Sequence, residues 1–388
     1  MRLRDQRSSG VKPPMWTGWT AERAARTAAM NRKTAAEGLR GITTSTGLEA
    51  GLFPLAPTGL DVGPARRSAV AYLDGLSKRE AAYGRFPIDD ETWRQWMNGT
   101  RYFGRHGQCL EDLTDAKRDL ALRVIESCLS EVGYAQLRDV MHLNTTLGEM
   151  RAELDVLNEW LYWFSIYGSP ETPGAPWGWQ LDGHHANVNC VVVGDQMTLT
   201  PSFIGAEPAF AEFGTYAGTR LLGTEERLGA DLFERLDGRQ QEAARIDSQM
   251  PEDLYARAYR DNLVLDYAGV AVGDMTDEQR ELARGLIGLY VDRAPCDHAR
   301  LRRHEIDKHL DQTHFAFVGD HRGPHGAFYY RIHSPVILIE FEHMAGVMFE
   351  VEAPWRQHIH TVVRTPNGND YGADLLRQHH ERHHPPRS

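Results

Sequence analysis

The chain has 388 residues, of which 41% are hydrophobic and 25% are charged, and these values are ordinary for a globular protein. Its apolar runs are too short to cross a bilayer, and its N-terminus lacks the apolar stretch of a secretory signal. The formal net charge of −11 leaves no electrostatic drive for nonspecific binding to nucleic acid. We therefore expect a cytoplasmic protein that has neither a membrane nor a nucleic acid as its partner.

Several familiar functional signatures are absent from the sequence. The four cysteines are widely spaced and form no C-x-x-C pair, which argues against a thiolate zinc knuckle and a disulfide scaffold. There is no G-x-S-x-G elbow, Walker A loop, H-E-x-x-H helix or G-x-G-x-x-G turn after a strand. Nothing therefore supports a serine hydrolase, an NTPase or a Rossmann dehydrogenase.

The N-terminal region differs from the rest of the chain in its charge. Residues 1–40 carry nine Lys/Arg and three Asp/Glu, whereas the remainder is acidic. We predict a helix from a cap at Thr20 to about Glu37, followed by a Gly/Pro/Thr-rich linker that ends at Pro64. Residues 1–64 are thus predicted to form a flexible basic arm and linker that packs on the body or, in a homo-oligomer, on a second subunit.

Residues 65–384 are predicted to form a single domain in which helices and strands are grouped separately. The pattern is helical from 65 to about 164, and a β-hairpin follows at His184–Val193 and Gln196–Ile204. Further elements are predicted as helices at Glu225–Ile246, Asp277–Val291, Asp297–Leu310 and Ala373–His384, and as strands at Thr313–Val318, Ala327–His333, Val336–Glu342, Val347–Glu350 and Ile359–Arg364. Strands that follow strands indicate an α+β fold, with the helical N-terminal half packed on a mostly antiparallel sheet.

The first candidate site lies in the segment HHANVNCVVV. Because side chains alternate along a strand, His185, Asn187 and Asn189 share one face, while the opposite face is mostly apolar. Either a solvated surface or a ligand-binding surface explains such a polar row. In the second case, the nearby Trp179 would supply an apolar wall to the site.

The second candidate site lies in the strands VILIEFE and HIH. His358 and His360 share a strand face with Cα atoms about 6.5–7 Å apart, a spacing that lets two imidazoles converge on one ion. Glu340 extends a face that begins with aliphatic residues, where a carboxylate is costly unless it is paired or bound to a cation. An ordinary ion pair with Arg331 or Arg364 would satisfy Glu340 without a metal.

Together, His185, His358, His360 and Glu340 form a predicted set of metal ligands. Three imidazoles and one carboxylate suit Fe, Cu, Mn, Ni or Zn, and an incomplete shell leaves a position for substrate or dioxygen.

Arginine and tyrosine side chains near these ligands are candidates for substrate binding. Arg331 and Tyr329 share a strand face in YYRIH, and arginine binds carboxylates with two parallel hydrogen bonds. We add Arg364, Asn187 and Asn189 as predicted contacts to a small, anionic substrate.

At these same motifs, the sequence resembles the uncharacterised bacterial family known as the DUF3500 proteins. The resemblance covers about residues 65–384 and rests on the stretches FSIYGSP, PWGWQLDGHHANVN, TPSFIGAEPA, FAFVGD, YYRIHSPVILIEFE and HIHTVVRTPNGNDYGADLLRQHH. It implies that G-H-H, Y-Y-R-I, I-E and H-I-H are family features. It therefore supports His184, His185, Arg331, Glu340, His358 and His360 as site candidates, and we add His184 to the predicted metal ligands.

The sequence departs from the pattern expected of this family in two places. It reads FEVEAPWRQ before H-I-H, where an Asn-rich stretch is common, and it has Asn144 where a glutamate is expected. The first departure argues against this stretch as a substrate wall here.

Four functions fit these observations, and the one ranked last is a metal-free enzyme in which Glu340 is the catalytic base and His358 the acid. We favour a metal-dependent oxidoreductase in which iron, copper or manganese binds the three histidines and Glu340, while Arg331 anchors the substrate. A zinc-type hydrolase would use the same ligands, although the H-x-H-x-D-H signature of such sites is absent. A binding protein without catalytic activity would instead pair Glu340 with Arg331 or Arg364.

Overall fold

The computed structural model describes residues 21–99, 105–323, 326–349 and 351–383. The helices are α1 Ala21–Glu37, α2 Gly63–Gly75, α3 Lys78–Gly84, α4 Asp115–Glu126, α5 Glu131–Arg151, α6 Gly223–Arg235, α7 Gly238–Ala244, α8 Asp277–Val291, α9 Cys296–Asp307 and α10 Ala373–His383. The strands are β1 Arg85–Phe86, β2 Gln108–Cys109, β3 Tyr162–Gly168, β4 Trp177–Gly183, β5 Ala186–Val193, β6 Gln196–Thr198, β7 Ser202–Ala206, β8 Val270–Ala271, β9 His314–Gly319, β10 Phe328–His333, β11 Leu338–Gly346 and β12 Val351–Arg364.

All twelve strands belong to one sheet. Its order is β1-β3-β4-β5-β7-β12-β11-β10-β9-β8, with β2 also paired to β3 and β6 to β5. The strand pairs of this sheet are antiparallel except β1–β3. The predicted α+β fold with a mostly antiparallel sheet is confirmed, and the pairing of β7 with β12 joins its two groups of strands.

The two halves of the chain repeat the same arrangement of elements. Each half begins with a 13-residue helix and a seven-residue helix, α2–α3 in the first and α6–α7 in the second. Each then has a three-stranded meander, β3–β4–β5 or β9–β10–β11, and the strand order is symmetric about the β7–β12 pair. The stretches LEDLTD and FSIYG of the first half correspond to VGDMTD and FAFVG of the second. The fold is therefore an internal duplication, with its halves joined edge to edge.

The sheet has one face covered by helices and one covered by irregular segments. Apolar side chains of α2, α4, α5, α6, α8 and α9 form a large core with one set of strand residues, among them Ala186, Val188 and Cys190. The other face is covered by residues around Trp96, Leu254 and the C-terminal helix α10. Because alternate strand residues point to opposite faces, the second face carries the polar side chains of the predicted sites.

The segment 38–62 lies against the body of the protein, although we expected a flexible linker there. Ile42 is fully buried, and Thr43 forms a parallel bridge with Val264. Further along, the backbone N–H groups of Thr58 and Gly59 donate to the Asp195 carboxylate. Helix α1 is present as predicted, whereas its predicted cap at Thr20 and the rest of residues 1–20 lie outside the described residues.

Several predicted elements differ in their bounds. The region predicted as helical from 65 to about 164 contains β1, β2 and the start of β3, the predicted strand Gln196–Ile204 is divided into β6 and β7, and the predicted strand Ile359–Arg364 is the end of the longer β12. Strand β5 begins at Ala186 and not at His184, because His184 and His185 form the turn between β4 and β5. The predicted helix Glu225–Ile246 is interrupted at Asp237, which caps α7 through a capping box with Gln240. Residues 347–349 form a turn where a strand was expected. The predicted last residue of the C-terminal helix, His384, is outside the described residues.

No helix among the described residues combines the length and the apolar character needed to cross a membrane.

Candidate metal centre

Three imidazoles converge on the polar face of the sheet, at the junction of the two halves. The Nε2 atom of His358 lies 3.3 Å from His185 Nε2 and 3.1 Å from His360 Nε2. All three ligand atoms lie within 4.8 Å of one another. The structure thus brings together the three histidines that the sequence analysis selected, across more than 170 positions of the chain.

The local fold places each ring. His185 is the second residue of the β4–β5 turn, with φ of +60°, and its backbone N–H donates to the Asn98 carbonyl. His358 and His360 are alternate residues of β12 and therefore share a face. Their neighbour on β7 is Gly205, which pairs with His360 and donates its N–H to the His185 carbonyl. One short backbone segment thus contacts both halves of the cluster.

The hydrogen bonds of His358 determine where its proton lies. Its Nδ1 is 2.7 Å from the Ala345 carbonyl, and a carbonyl only accepts, so Nδ1 carries the proton and Nε2 presents a lone pair. That single lone pair faces both His185 Nε2 and His360 Nε2. One shared proton would satisfy only one of these contacts, whereas a cation would satisfy both.

The spacing of the nitrogen atoms fits a bound metal ion. With metal–nitrogen bonds of about 2.0–2.1 Å, neighbouring ligand nitrogens lie about 2.9–3.4 Å apart for octahedral to tetrahedral angles. The two measured distances, 3.3 and 3.1 Å, fall in this range. The described residues therefore form a group that could hold a metal ion.

Burial keeps these imidazoles neutral, as metal ligands must be. Desolvation lowers the pKa of His358 to about 4. It lowers the pKa of His185 and of His360 well below the usual value, and the neighbouring histidines act in the same direction. All three rings are thus available as ligands near neutral pH.

Carboxylates lie behind the two β12 imidazoles. Glu342 Oε1 is 3.2 Å from His360 Nδ1, and Glu207 Oε2 is 3.7 Å from His358 Nδ1. A hydrogen-bonded carboxylate such as Glu342 orients a ligating imidazole and raises its basicity, whereas His358 Nδ1 is oriented by its hydrogen bond to the Ala345 carbonyl. Neither carboxylate was selected from the sequence, although Glu207 lies in the family stretch TPSFIGAEPA.

Of these two carboxylates, Glu342 has the surroundings that oppose its ionisation more strongly. It is fully buried, and its Oε2 has no hydrogen-bond partner. Burial raises its pKa well above the usual value, and the charges of Asp253 and Glu340 add to this effect. Ligand atoms of Asp253, Glu342 and His360 also lie within 4.8 Å of one another. A positive charge at the imidazoles would oppose these effects and favour the ionised carboxylate.

Glu340, the predicted fourth ligand, does not join the three imidazoles. Its carboxylate accepts hydrogen bonds from the backbone N–H groups of Tyr255 and Ala256 and from the Tyr329 hydroxyl. The strand register explains the difference, because Glu342 lies opposite His360 whereas Glu340 lies opposite Val362. Glu340 therefore anchors the segment that covers the sheet.

The two arginines proposed as partners of Glu340 do not form ion pairs with it. Arg364 is fully buried and forms ion pairs with Asp261 and Asp370 at 2.6 and 2.7 Å, so its guanidinium interacts with groups of the protein itself. Arg331 has no carboxylate within 4.0 Å among the described residues. Of the two, only Arg331 retains unused hydrogen-bonding capacity.

His184 supports the cluster without joining it. Its ring stacks on His185 at a centroid distance of 4.0 Å, and its Nδ1 lies 2.8 Å from Asn144 Oδ1. The amide of Asn144 in turn donates to the Asn158 carbonyl. The position at which the sequence departs from the family pattern therefore holds the turn that carries His185.

The remaining predicted contacts are divided between the two faces of the sheet. Asn187 and Asn189 lie on the polar face and bond to each other at 2.7 Å, and Asn189 also accepts from Gln180. Trp179 belongs to the core on the helical face, opposite the imidazoles. Because side chains alternate along β4, Trp179 does not lie on the polar face where we predicted that it forms an apolar wall.

The chain belongs to the family described as "Protein of unknown function (DUF3500)", whose model matches residues 59–373. Neither a curated protein nor a solved structure matches the chain.

Proposed function

We propose that this protein is a metal-dependent enzyme that binds its metal through His185, His358 and His360 and acts as an oxidoreductase on a small anionic molecule. The observation that carries the proposal is the position of His358 Nε2. Its single lone pair faces two further Nε2 atoms at 3.1 and 3.3 Å, an arrangement that one ion stabilises and one proton does not.

The donor set suits a redox metal, and the position of the carboxylates is the reason to prefer redox over hydrolytic chemistry. When bound, iron, copper or manganese at three imidazoles supplies open coordination positions and a change of oxidation state. Zinc at the same imidazoles would supply a hydroxide nucleophile, and zinc hydrolases that act on amides commonly add a carboxylate beside the open positions to move protons. No described carboxylate joins the three imidazoles within 4.8 Å, and Glu342 and Glu207 lie on the Nδ1 side of the rings. This placement suits positioning of the ligands better than activation of water.

The chain's own residues would hold the rings and exclude water. The Ala345 carbonyl accepts from His358 Nδ1, and an ionised Glu342 would accept from His360 Nδ1, so these two contacts would fix the direction of each Nε2. His184 stacks on His185 and limits its rotation. The imidazoles are at most 8% exposed, so a ligand would react in a largely dehydrated site.

Metal analysis tests the first part of this proposal. Protein purified without a histidine tag should contain about one equivalent of a transition metal per chain, and His358→Ala should lose most of it. His304→Ala, which removes an exposed histidine of α9, should retain the wild-type content. Protein that stays free of metal after exposure to Fe(II), Cu(II) and Zn(II) would contradict the proposal and leave a binding protein as the remaining interpretation.

Comparison of reconstituted forms tests the second part. Iron, copper or manganese protein should show metal-centred absorption or paramagnetic resonance signals that change under dioxygen or with a small carboxylate. If only the zinc form acts on model esters and amides, and the redox-active forms do not respond, the hydrolase is correct and the oxidoreductase is wrong.

A further inference from the structure

The internal duplication pairs each position on the polar sheet face with a counterpart in the other half. Strands β3 and β4 pair in the same register, counted from FSIYG, as β9 and β10 do from FAFVG. Gln180 is therefore equivalent to Arg331, and Asp182 is equivalent to His333. The two members of each pair occupy equivalent places in the sheet, so their hydrogen-bond partners can be compared directly.

In the first half, other protein groups supply the hydrogen-bond and ion-pair partners of Gln180 and Asp182. Gln180 Oε1 accepts from His106 Nε2 at 2.7 Å, and its amide donates to the Trp93 carbonyl. Asp182 forms a buried ion pair with Arg105. The polar side chains on this part of the sheet thus have partners within the fold.

In the second half, the equivalent side chains lack such partners. Arg331 is 3% exposed, and its Nε has no hydrogen-bond partner. Its Nη2 reaches the Asp266 carbonyl only at 3.5 Å, which is long for a hydrogen bond. His333 is 1% exposed, and its Nδ1 also has no partner.

The sequence difference between the halves explains this contrast. Gly107 precedes β2 with φ of +96°, and Gly269 precedes β8 with φ of +103°, so His106 is equivalent to Ala268. The imidazole that bonds to Gln180 in the first half is thus replaced by a methyl group. Arg105 is replaced by Tyr267, whose ring packs on His333 at 4.7 Å. The second half has therefore lost both protein partners and gained an arginine.

We propose that Arg331 and His333 form a binding site for a small oxyanion, either a carboxylate or a phosphate. A buried guanidinium without an acidic partner is costly, and an oxyanion supplies the missing acceptors, two of them to the guanidinium fork. Tyr255, whose ring lies 5.8 Å from the guanidinium carbon, closes one side of the site. Strand β11 separates β10 from β12, and the register places Arg331 level with Val362, two residues along β12 from His360, so the backbone at this site lies more than about 10 Å from that of the β12 imidazoles.

The anion site does not depend on a bound metal. If one ligand spans both sites, it is an extended carboxylate or phosphate compound whose reacting group lies far from its charge, and only this extension rests on the proposed function. The two sites can therefore fail separately in experiments.

Calorimetric titration of the full chain with formate and with inorganic phosphate tests the site. Wild-type protein should bind at least one of them saturably. Arg331→Gln installs the residue of the equivalent position and should weaken binding at least tenfold. Ala268→His restores the imidazole of the first half and should do the same with Arg331 in place. Arg322→Gln removes an exposed positive charge and should leave binding unchanged.

The variants together show whether the anion binds at Arg331 or at the three imidazoles. Anion binding that is lost in Arg331→Gln and Ala268→His, and kept in His358→Ala, supports a site separate from the imidazoles. Binding lost in His358→Ala but kept in the other two variants would locate the anion at the metal centre and overturn the proposal. Absence of saturable binding by the wild type would overturn it as well. Thermal unfolding of each variant verifies that it is folded.

Discussion

Gly205 and His360 face each other across the β7–β12 pair, and no larger residue fits at position 205. A Cβ added to Gly205 would lie 2.7 Å from His360 Cδ2 and 2.5 Å from the Ile359 carbonyl oxygen. The same glycine donates its N–H to the His185 carbonyl. The absence of a side chain there lets imidazoles from both halves of the duplicated fold approach one point.

We expect Gly205→Ala to reduce metal binding strongly. The added methyl group would displace the His360 ring or part the two strands, and ligand rings must stay close to the productive geometry. Metal content after dialysis should fall by about tenfold or more. Gly238→Ala adds a methyl group where nothing lies within 4 Å and should keep the wild-type content. Equal metal content in the two variants would show that His360 is not a ligand.

Glu342→Gln and Glu340→Gln form a matched pair that separates two adjacent carboxylates on one strand face. Because Glu342 contacts His360 Nδ1 at 3.2 Å, its loss should weaken metal affinity by about 10–100-fold. Glu340 instead binds backbone N–H groups, so its substitution should lower stability with a smaller effect on affinity. Competition titration with a metal chelator measures both effects. A larger loss of affinity in Glu340→Gln would restore Glu340 as the ligand.

Glu340 and Glu342 also show which part of the site could not be predicted from the sequence. Strand periodicity correctly predicted that Glu340 and Glu342 share a face and that His358 and His360 do so on a second strand. Which carboxylate meets which imidazole depends on the β11–β12 register, which includes an irregularity between His343 and Gly346. A shift of register by one or two residues changes which carboxylate lies opposite His360. A single sequence contains no local pattern that predicts such a shift.

The strand pattern of the protein could be predicted from the sequence, whereas contacts between distant residues could not. The mostly antiparallel sheet and its hairpin followed from alternation and turn residues, and the convergence of His185 with the β12 pair was a hypothesis from residue type alone. The turn at His184–His185 has neither glycine nor asparagine, so the strand was predicted to begin two residues early. The partners of Arg364 are Asp261 and Asp370, and the pairing with Asp261 lies in tertiary contacts that no local pattern reveals.

We expect Arg364→Gln to destabilise the protein without acting through substrate binding. The guanidinium is fully buried between Asp261 and Asp370, and removal of one member of a buried ion network typically costs about 3–5 kcal/mol. Chemical denaturation should show this loss in the free energy of unfolding. Arg377→Gln breaks exposed pairs of α10 and should cost less than about 1 kcal/mol. Wild-type stability of Arg364→Gln would leave this arginine free for the substrate role predicted from the sequence.

His333 should make folding sensitive to mild acid. Burial lowers the pKa of His333 to about 3, and the charge of Arg331 adds to the effect. Between the usual histidine pKa of about 6.5 and this value, the unfolded chain binds a proton at this position that the folded chain does not. Stability from this residue is therefore intact above about pH 6.5 and is lost progressively as the pH falls towards 3.

The variant His333→Phe should reduce the slope of unfolding free energy against pH by about 1.4 kcal/mol per pH unit near pH 5. Denaturation curves at a series of pH values measure this slope, and other buried histidines contribute equally to both proteins. His304→Phe makes the same change of residue type on the exposed surface of α9 and serves as the control. If the two variants have the same slope as the wild type, His333 is not held neutral by the fold, and the position beside Arg331 is more open to water than its burial indicates.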